Sequence, residues 1–572
     1  MAAAAPSSSS DLHKYAHVSG GRRPRATQQP RPPAHTPEWY ALPQELLMAV
    51  LDRLGERLRR RLATLSKGTR DAQRALVKVE LGLNAEQFDA YLTAMHGRNL
   101  YLTGSAGVGK SHTLRHIVAG LKRVHGDRGV LVTGSTGAAA ALIQGCTIHA
   151  TMNIGLANQE PAYYVRRMQS ARQKCMPSML ETCRRLCGAR VLIIDEISML
   201  DARVLEIVHR VCCTACLRGG GPGSSGYRPF GGLQLVACGD VMQLPAVNFA
   251  SNGWFFEAPV WCGLRDAAEL RTVELRECHR QSDTGFVQCL KRIRVRTKAM
   301  FLTNALEAHR ARSDLRYLQQ HAAREPLSGA IKLFAVNKPA EDENNRRLAS
   351  IPGTRHVFEG VDSCDLRAHR AEVAMEPEER LSLFHHCPAL KTLLLKEGCR
   401  VVCLKNMHSR CAGSMTVNGS LGTVRKVLVK DEPSGADSGA QQVRRDVQVQ
   451  VVVDFDNGES HAFVTGNGHH IRSPPHENVF DQYMGDRLIC SRTQLPLRLA
   501  YAISIHKSQG MSLDAVSVDL SDTFASGQAY VALSRAKELA KLHITGLKAT
   551  HLAMANENAQ AFCTSGRGRV GA

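Results

Sequence analysis

Apolar positions crowd into a few short runs along the chain: Asn99 to Thr103, Val130 to Thr133, Val191 to Ile194 and the stretch Phe230 to Cys238. Runs that are apolar at successive positions have both faces covered, which is what a parallel sheet with helices on each side demands. Between them lie segments such as His112 to Val124 with the make-up of helices. From Trp39 to Val79 the spacing is helical as well, with Leu46, Leu47, Val50, Leu51 and Leu54 recurring on one face, followed by Leu62 and Leu65. The pattern changes near the C-terminal third. Val447 to Val453 alternates and runs into Asp456-Asn457-Gly458, as strands of a small barrel with tight turns do. An α/β fold is therefore expected, with a β-rich insertion.

The first apolar run leads into Gly104-Ser105-Ala106-Gly107-Val108-Gly109-Lys110-Ser111, and a helix follows. Glycine, four residues and then Gly-Lys-Ser is the spacing of a phosphate-binding loop. Its backbone N–H groups curl around phosphate oxygens, Lys110 reaches the β- and γ-phosphates, and Ser111 offers a hydroxyl to Mg²⁺. The helix N-terminus adds its partial positive charge. ATP with Mg²⁺ is the expected ligand pair. Upstream, Gln87 is placed to read an adenine edge with its amide. The Val191 run ends in Asp195-Glu196, two carboxylates at the end of a core strand, where ligands of open α/β sheets sit. Asp195 is expected to hold Mg²⁺ with Ser111, and Glu196 to orient and deprotonate the attacking water. Gln243, in Gly239-Asp240-Val241-Met242-Gln243-Leu244-Pro245, is expected near the γ-phosphate. Ser135 and Thr136, small hydroxylic residues opening a helix, suit close approach to a sugar-phosphate backbone, and His149 extends that track.

Charge and cysteine content narrow the partner. Among 572 residues, 73 Lys and Arg face 52 Asp and Glu, a formal charge of +21 that suits a polyanion better than an acidic small molecule. Residues 1–80 carry 14 basic and 7 acidic side chains, so two thirds of the excess lies further along the chain. The 18 cysteines follow no repeating framework and are expected as reduced thiols, with Cys212, Cys213 and Cys216 structural on a helix. No apolar run approaches membrane-spanning length, so no membrane partner is expected. Residues 1–37 are rich in Ala, Ser, Pro and Arg, with Asp11 the one acid, and fit either a disordered basic arm or an organelle transit peptide. Gly219 to Gly226 reads as a flexible loop.

Several motifs in order give the chain a family likeness. Asp195-Glu196-Ile197-Ser198-Met199-Leu200, Pro229-Phe230-Gly231-Gly232 and Gly239 to Pro245 together resemble the petite-integration-frequency (PIF-type) helicases of superfamily one. The likeness continues through Phe256-Glu257-Ala258-Pro259 with Trp261, Leu275 to Gln281 with Arg280, and Asn337-Lys338 with Asn344. Lys396 to Val402 with Lys405-Asn406, and Val417 to Gly422, are similar to that family's inserted barrel. Ala500 to Met511 and Gln528 to Ala536 close the set. The resemblance runs from about Leu83 to Leu547 and implies a role for each matching residue. His506, Lys507 and Ser508 touch DNA or link it to the nucleotide, and Gln528 and Tyr530 contact DNA; Gln509 and Gly510 face ATP; Arg280 and Arg535 act on the phosphates from a second motor domain, Arg535 as the arginine finger. Departures are Val241-Met242, the loop Lys430 to Arg445 and the stretch Gly458 to Arg492.

The resemblance thus implies two RecA-like P-loop motor domains with a small SH3-like β-barrel inserted in the second. The expected boundaries are a basic arm or transit peptide at 1–37, a small helical segment at 38–80, motor domain 1 at 81–275, motor domain 2 at 276–398 and 491–550, the barrel at 399–490 and a C-terminal tail at 551–572. The implied activity is ATP-dependent 5′-to-3′ translocation on single-stranded DNA with unwinding of forked DNA. Such a protein would act as a monomer in DNA replication, repair, recombination or telomere maintenance, in the nucleus, the mitochondrion or both. Two other readings are a RecD-like helicase subunit of a nuclease complex and an F-box-type adaptor, the latter from Leu42-Pro43-Gln44-Glu45-Leu46 with Leu65-Ser66-Lys67. Intact Lys110, Asp195, Glu196, Gln243, Arg280 and Arg535 argue against an inactive motor.

Overall fold

Neighbouring residues of the apolar strands part to opposite faces of one sheet, and each face has its own core. Leu100, Leu102, Val191, Ile193 and Val236 pack with Leu114 and Ile117 of the helix Lys110–His125. Tyr101, Leu192, Ile194, Leu235 and Ala237 pack on the other side with Leu205 and Val208 of the helix Ala202–Cys216 and with Trp261. A period of two in side-chain direction, with apolar residues at every step, is what produces this two-sided burial. The computed structural model describes residues 78–567, apart mainly from 217–227, 365–383, 409–414, 433–445 and 466–478. Lys78–Ala572 forms one compact unit. The expected arm at 1–37, most of the helical segment at 38–80, the loop Gly219 to Gly226 and much of the two barrel departures lie outside the described residues.

The first sheet has six parallel strands: β1 (Asn99–Gly104), β2 (Val130–Gly134), β3 (Cys146–Thr147), β4 (Val191–Asp195), β5 (Gln234–Cys238) and β6 (Leu270–Leu275), in the order β3-β2-β4-β5-β1-β6. Their C-terminal ends therefore bring Gly104, Gly134, Asp195, Cys238 and Leu275 to one edge. A second, four-stranded parallel sheet runs Ala502–Ser504, Ile331–Phe334, Val516–Asp519 and Leu542–Thr545 in that spatial order.

Between the second sheet's segments lies a five-stranded antiparallel sheet, ordered Ser460–Thr465, Asp446–Phe455, Leu421–Glu432, Arg400–Cys403 and Leu497–Leu499. Val449, Val451 and Val453 are its buried alternate positions. Two expected boundaries are corrected here. The strands His356–Glu359 and Thr392–Leu395, assigned to the second motor domain, bury Phe358, Leu393 and Leu395 in the antiparallel core, and Leu497–Leu499 extends that sheet beyond residue 490. The tail at 551–572 contains a helix, Glu557–Arg567, whose apolar side docks on the first sheet's core: Phe562 stacks on Phe256 with ring centroids 4.2 Å apart, and Ala555 and Ala559 are buried beside them.

Cys212 and Cys216 are buried on the helix Ala202–Cys216. No described helix is long and apolar enough to cross a membrane.

Candidate active site

The turn after β1 is built for close approach. Gly107 (φ 83°) and Gly109 (φ 85°) lie in the left-handed region, and a Cβ on either would meet Arg280 Cβ at 2.7 Å or Gln87 Nε2 at 2.6 Å. Only glycine combines that conformation with that proximity. Lys110 opens the following helix and is buried, its Nζ donating to the carbonyls of Gly104 at 2.9 Å and Ser105 at 3.0 Å. Its ammonium thus lies inside the curl of the loop. Ser111 is the next residue of that first helical turn.

Gln87 sits against the loop rather than on an exposed helix start. It closes a capping box with Asn84 at the start of the helix Ala85–Met95 and approaches the Val108 carbonyl at 3.4 Å. His279, whose backbone N–H donates to Gly107 O, lies with Nε2 3.5 Å from both Asn84 Nδ2 and Gln87 Nε2. Asn84, Gln87 and His279 therefore form the wall beside Gly109.

Asp195 ends β4, and its Oδ1 accepts the Glu196 backbone N–H at 2.9 Å. Burial, and then the Glu196 charge, push the Asp195 carboxyl up to about 7. A carboxylate so disfavoured gains most from a cation, and carboxylate and hydroxyl oxygens are the donor types Mg²⁺ takes, so Asp195 and Ser111 fit that ion. Glu196 is one of few non-glycine residues at positive φ (51°), a strained conformation at the sheet edge. Its Oε2 accepts from Gln509 Nε2 at 3.0 Å. Gly510 follows at φ 82°, where an added Cβ would lie 3.9 Å from Glu196 Oε1. Gln243 is buried, 3.4 Å from Asp240 through its Nε2. Gln243 Oε1, Gln509 Oε1 and Ser135 Oγ are buried without a protein hydrogen-bond partner among the described residues.

The arginines differ from expectation. Arg280 does not stand on the second sheet: its backbone N–H donates to Gly107 O at 3.2 Å, and its Nη1 reaches across to Ser534 O at 3.0 Å. The short segment after β6 is held by the loop, and that fixes where Arg280 starts. Arg535 does belong with the second sheet and is buried, bonded to the carbonyls of Val531 (2.9 Å), Met511 (3.1 Å) and Ser508 (3.4 Å) and to Ser534 Oγ (2.9 Å). Among the described residues it pairs with no carboxylate. Burial, then the neighbouring Arg280 charge, lower its guanidinium to about 9.

Four expected DNA contacts are corrected by burial. Gln528 is sealed in, donating to Ala335 O and accepting from the Phe524 and Ala525 N–H groups. Ser508 is equally buried and donates to Ile505 O at 2.7 Å. Tyr530 turns its hydroxyl toward the phosphate loop, accepting the Ala106 N–H at 2.7 Å. Ser135 is also buried, its N–H on Asp195 O. Thr136, whose hydroxyl caps the Ala139 N–H, is partly open, as are His149 and His506, while Lys507 is exposed. The sequence reading passed over Phe524, which is 63% exposed and stacks on His506 with ring centroids 6.2 Å apart. It also passed over the Arg294–Asp240 pair and Gln281, whose Nε2 bonds the carbonyls of Ser534 and Ala536. An aromatic six residues before Tyr530 was the available signal for the first; the other two depend on contacts remote in sequence.

A phosphate loop on a parallel sheet, a carboxylate pair at the end of another strand of that sheet, Arg280 held beside the loop and Arg535 supplied from a second sheet define a P-loop α/β protein with a shared phosphate site. Residues 82–291 match the pattern of the PIF1-like helicase family. It is 33% identical over 489 residues to the rat ATP-dependent DNA helicase PIF1, covering 85% of this chain and 65% of the rat protein. The human protein of the same name is 33% identical over 473 residues, 81% of this chain and 60% of that one. The chain thus spans 60–65% of the length of these curated relatives. The crystal structure of Pif1 helicase from Candida albicans superposes with a TM-score of 0.65 at 29% identity, over 84% of this chain and 99% of that one.

Proposed function

We propose that the chain is an ATP-dependent DNA helicase that moves 5′ to 3′ on single-stranded DNA and unwinds forked duplexes. In this reading the two parallel sheets are RecA-like motor domains and the antiparallel insertion is an SH3-like barrel. The observation that carries it is Arg535, a buried guanidinium with no carboxylate partner among the described residues, on the opposite sheet from the Lys110 loop. A buried cation without a counter-charge is costly, and a triphosphate supplies one. The named activity of the rat and human relatives supports the same assignment.

Lys110 binds the phosphates, Arg280 and Arg535 neutralise charge on the transferring group, and Glu196, oriented by Gln509, takes a proton from the attacking water. Mg²⁺, held by Ser111 and Asp195, would offset phosphate charge when bound. Gln243 is assigned to sense the γ-phosphate. Thr136, His149, His506, Lys507 and Phe524 are the accessible residues assigned to DNA. One chain supplies both sides of the site, so a monomer suffices. Roles in genome maintenance and a nuclear or mitochondrial location belong to the same proposal. Unwinding of forks labelled on opposite tails tests it: loss of the duplex only from forks with a free 5′ tail is expected, and no ATP-dependent unwinding of any fork rejects it.

A further inference from the structure

We infer that the Tyr530 hydroxyl is a positioning group that ties the outer turn of the phosphate loop to the second sheet, so that closing the two sheets sets the loop. This rests on the helicase reading for its link to DNA, and on geometry for the link to the loop. Tyr530 is 3% exposed and lies on the short helix Gln528–Leu533, two turns at most from Arg535. Its oxygen accepts the Ala106 N–H at 2.7 Å across a separation of 424 residues. Ala106 packs on the second sheet's apolar cluster, while Lys110 at the other end of the loop belongs to the first sheet's helix. The bond therefore falls at the junction of the two sheets.

Two further contacts keep this helix at the loop. Arg280 and Gln281, attached to the loop through the bonds of His279 and Arg280 to Gly107 O, both reach Ser534 O. On the other side Gly527 abuts Gln243: an added Cβ would lie 2.7 Å from Gln243 O. The helix that ends two residues before Arg535 is thus gauged against Gly107, Ala106 and Gln243 together, and Tyr530 supplies the bond to the loop's own backbone. Ala106 precedes the helix-side N–H groups, so the phenol holds the loop without competing for those next to Lys110. Losing the acceptor leaves a partly buried N–H unpaired and lets the loop tip move independently of Arg535. DNA that favours closure would then no longer set the loop.

Tyr530→Phe removes one oxygen and keeps the ring. Two measurements decide its role. In the first, ATP turnover is measured with and without single-stranded DNA, alongside DNA affinity. The ratio of DNA-stimulated to DNA-free turnover is expected to fall about tenfold, with DNA affinity within twofold of the parent. In the second, hydrogen exchange of the peptide covering residues 104–110 is followed in the nucleotide-bound protein, and exchange in the variant is expected to be about tenfold faster. An unchanged ratio, or exchange equal to the parent's, overturns the inference. Weakened DNA binding assigns Tyr530 to DNA instead and overturns it as well. A parent protein whose turnover ignores DNA rejects the helicase reading, while the exchange measurement still decides the Tyr530–Ala106 bond.

Discussion

Arg294 grips Asp240 with two nitrogens, Nη2 to Oδ1 at 2.7 Å and Nε to Oδ2 at 3.1 Å, and both side chains are shut away from water. Arg294 stands on the helix Thr284–Val295, which packs with the second sheet, and Asp240 follows β5 of the first. A bidentate pair with this geometry restricts rotation between the two elements more than apolar contact does. It also sits one residue triplet from Gln243, so the element expected at the γ-phosphate is braced from the far side.

Asp240→Asn should therefore unfold more easily. Removing one partner strands a buried guanidinium, at a cost on the order of 3–5 kcal/mol. Burial alone would raise the Asp240 carboxyl, but Arg294 overrides it and holds the group below its ordinary range. A depressed carboxylate adds stability that is present above the unfolded-state value and lost as pH falls through the lower, folded value. Denaturant melts of parent and variant should thus differ most near neutrality and converge in strong acid. Curves that stay parallel down to acid pH would show that the pair contributes nothing.

Lys110→Ala should abolish ATP turnover and unwinding while leaving single-stranded DNA binding largely intact. Among the described residues the ammonium bonds only the loop carbonyls of Gly104 and Ser105, so its removal disturbs little beyond the phosphate site. DNA affinity should come from many scattered basic residues and fall steeply with salt. Filter binding across a salt series, with turnover measured in parallel, checks both halves.

For Arg535→Ala, nucleotide and DNA binding should stay within roughly an order of magnitude of the parent, while DNA-stimulated turnover falls by about 10³-fold. The carbonyls of Val531, Met511 and Ser508 lose their donor, so a lower melting temperature should accompany the change. Arg535→Lys separates the two effects: a single ammonium restores charge without the planar fork, and turnover should recover only partly. Retention of more than about a tenth of parent turnover by the alanine variant would reduce Arg535 to a structural residue.

Phe524→Ala should weaken single-stranded DNA binding by about 1–3 kcal/mol, the range for loss of one base-stacking aromatic. The ring is exposed and backed by His506, so the fold should be indifferent to its loss. Equal affinities for parent and variant, measured by fluorescence anisotropy on an oligonucleotide, would remove Phe524 from the DNA face.

What the sequence by itself determined is local. Gly104 to Ser111 sets a phosphate loop because glycine spacing and the lysine act within one turn, and the apolar runs determine a two-sided parallel sheet because burial follows period two. Asp195 and Glu196 are legible for the same reason, standing at the end of one such run. Tertiary structure alone decided which later residues meet that loop and from which side. Tyr530 and Gln528 look like exposed polar positions of a motif, yet the tight seat of their helix against the loop and Ala335 turns both inward. Arg280 is placed by its backbone bond to Gly107, and the helix Glu557–Arg567 by aromatic stacking on Phe256; both depend on contacts between residues more than 150 positions apart. Neither periodicity nor spacing encodes such contacts, since they arise only when two separately folded faces are pressed together and their polar groups must find partners.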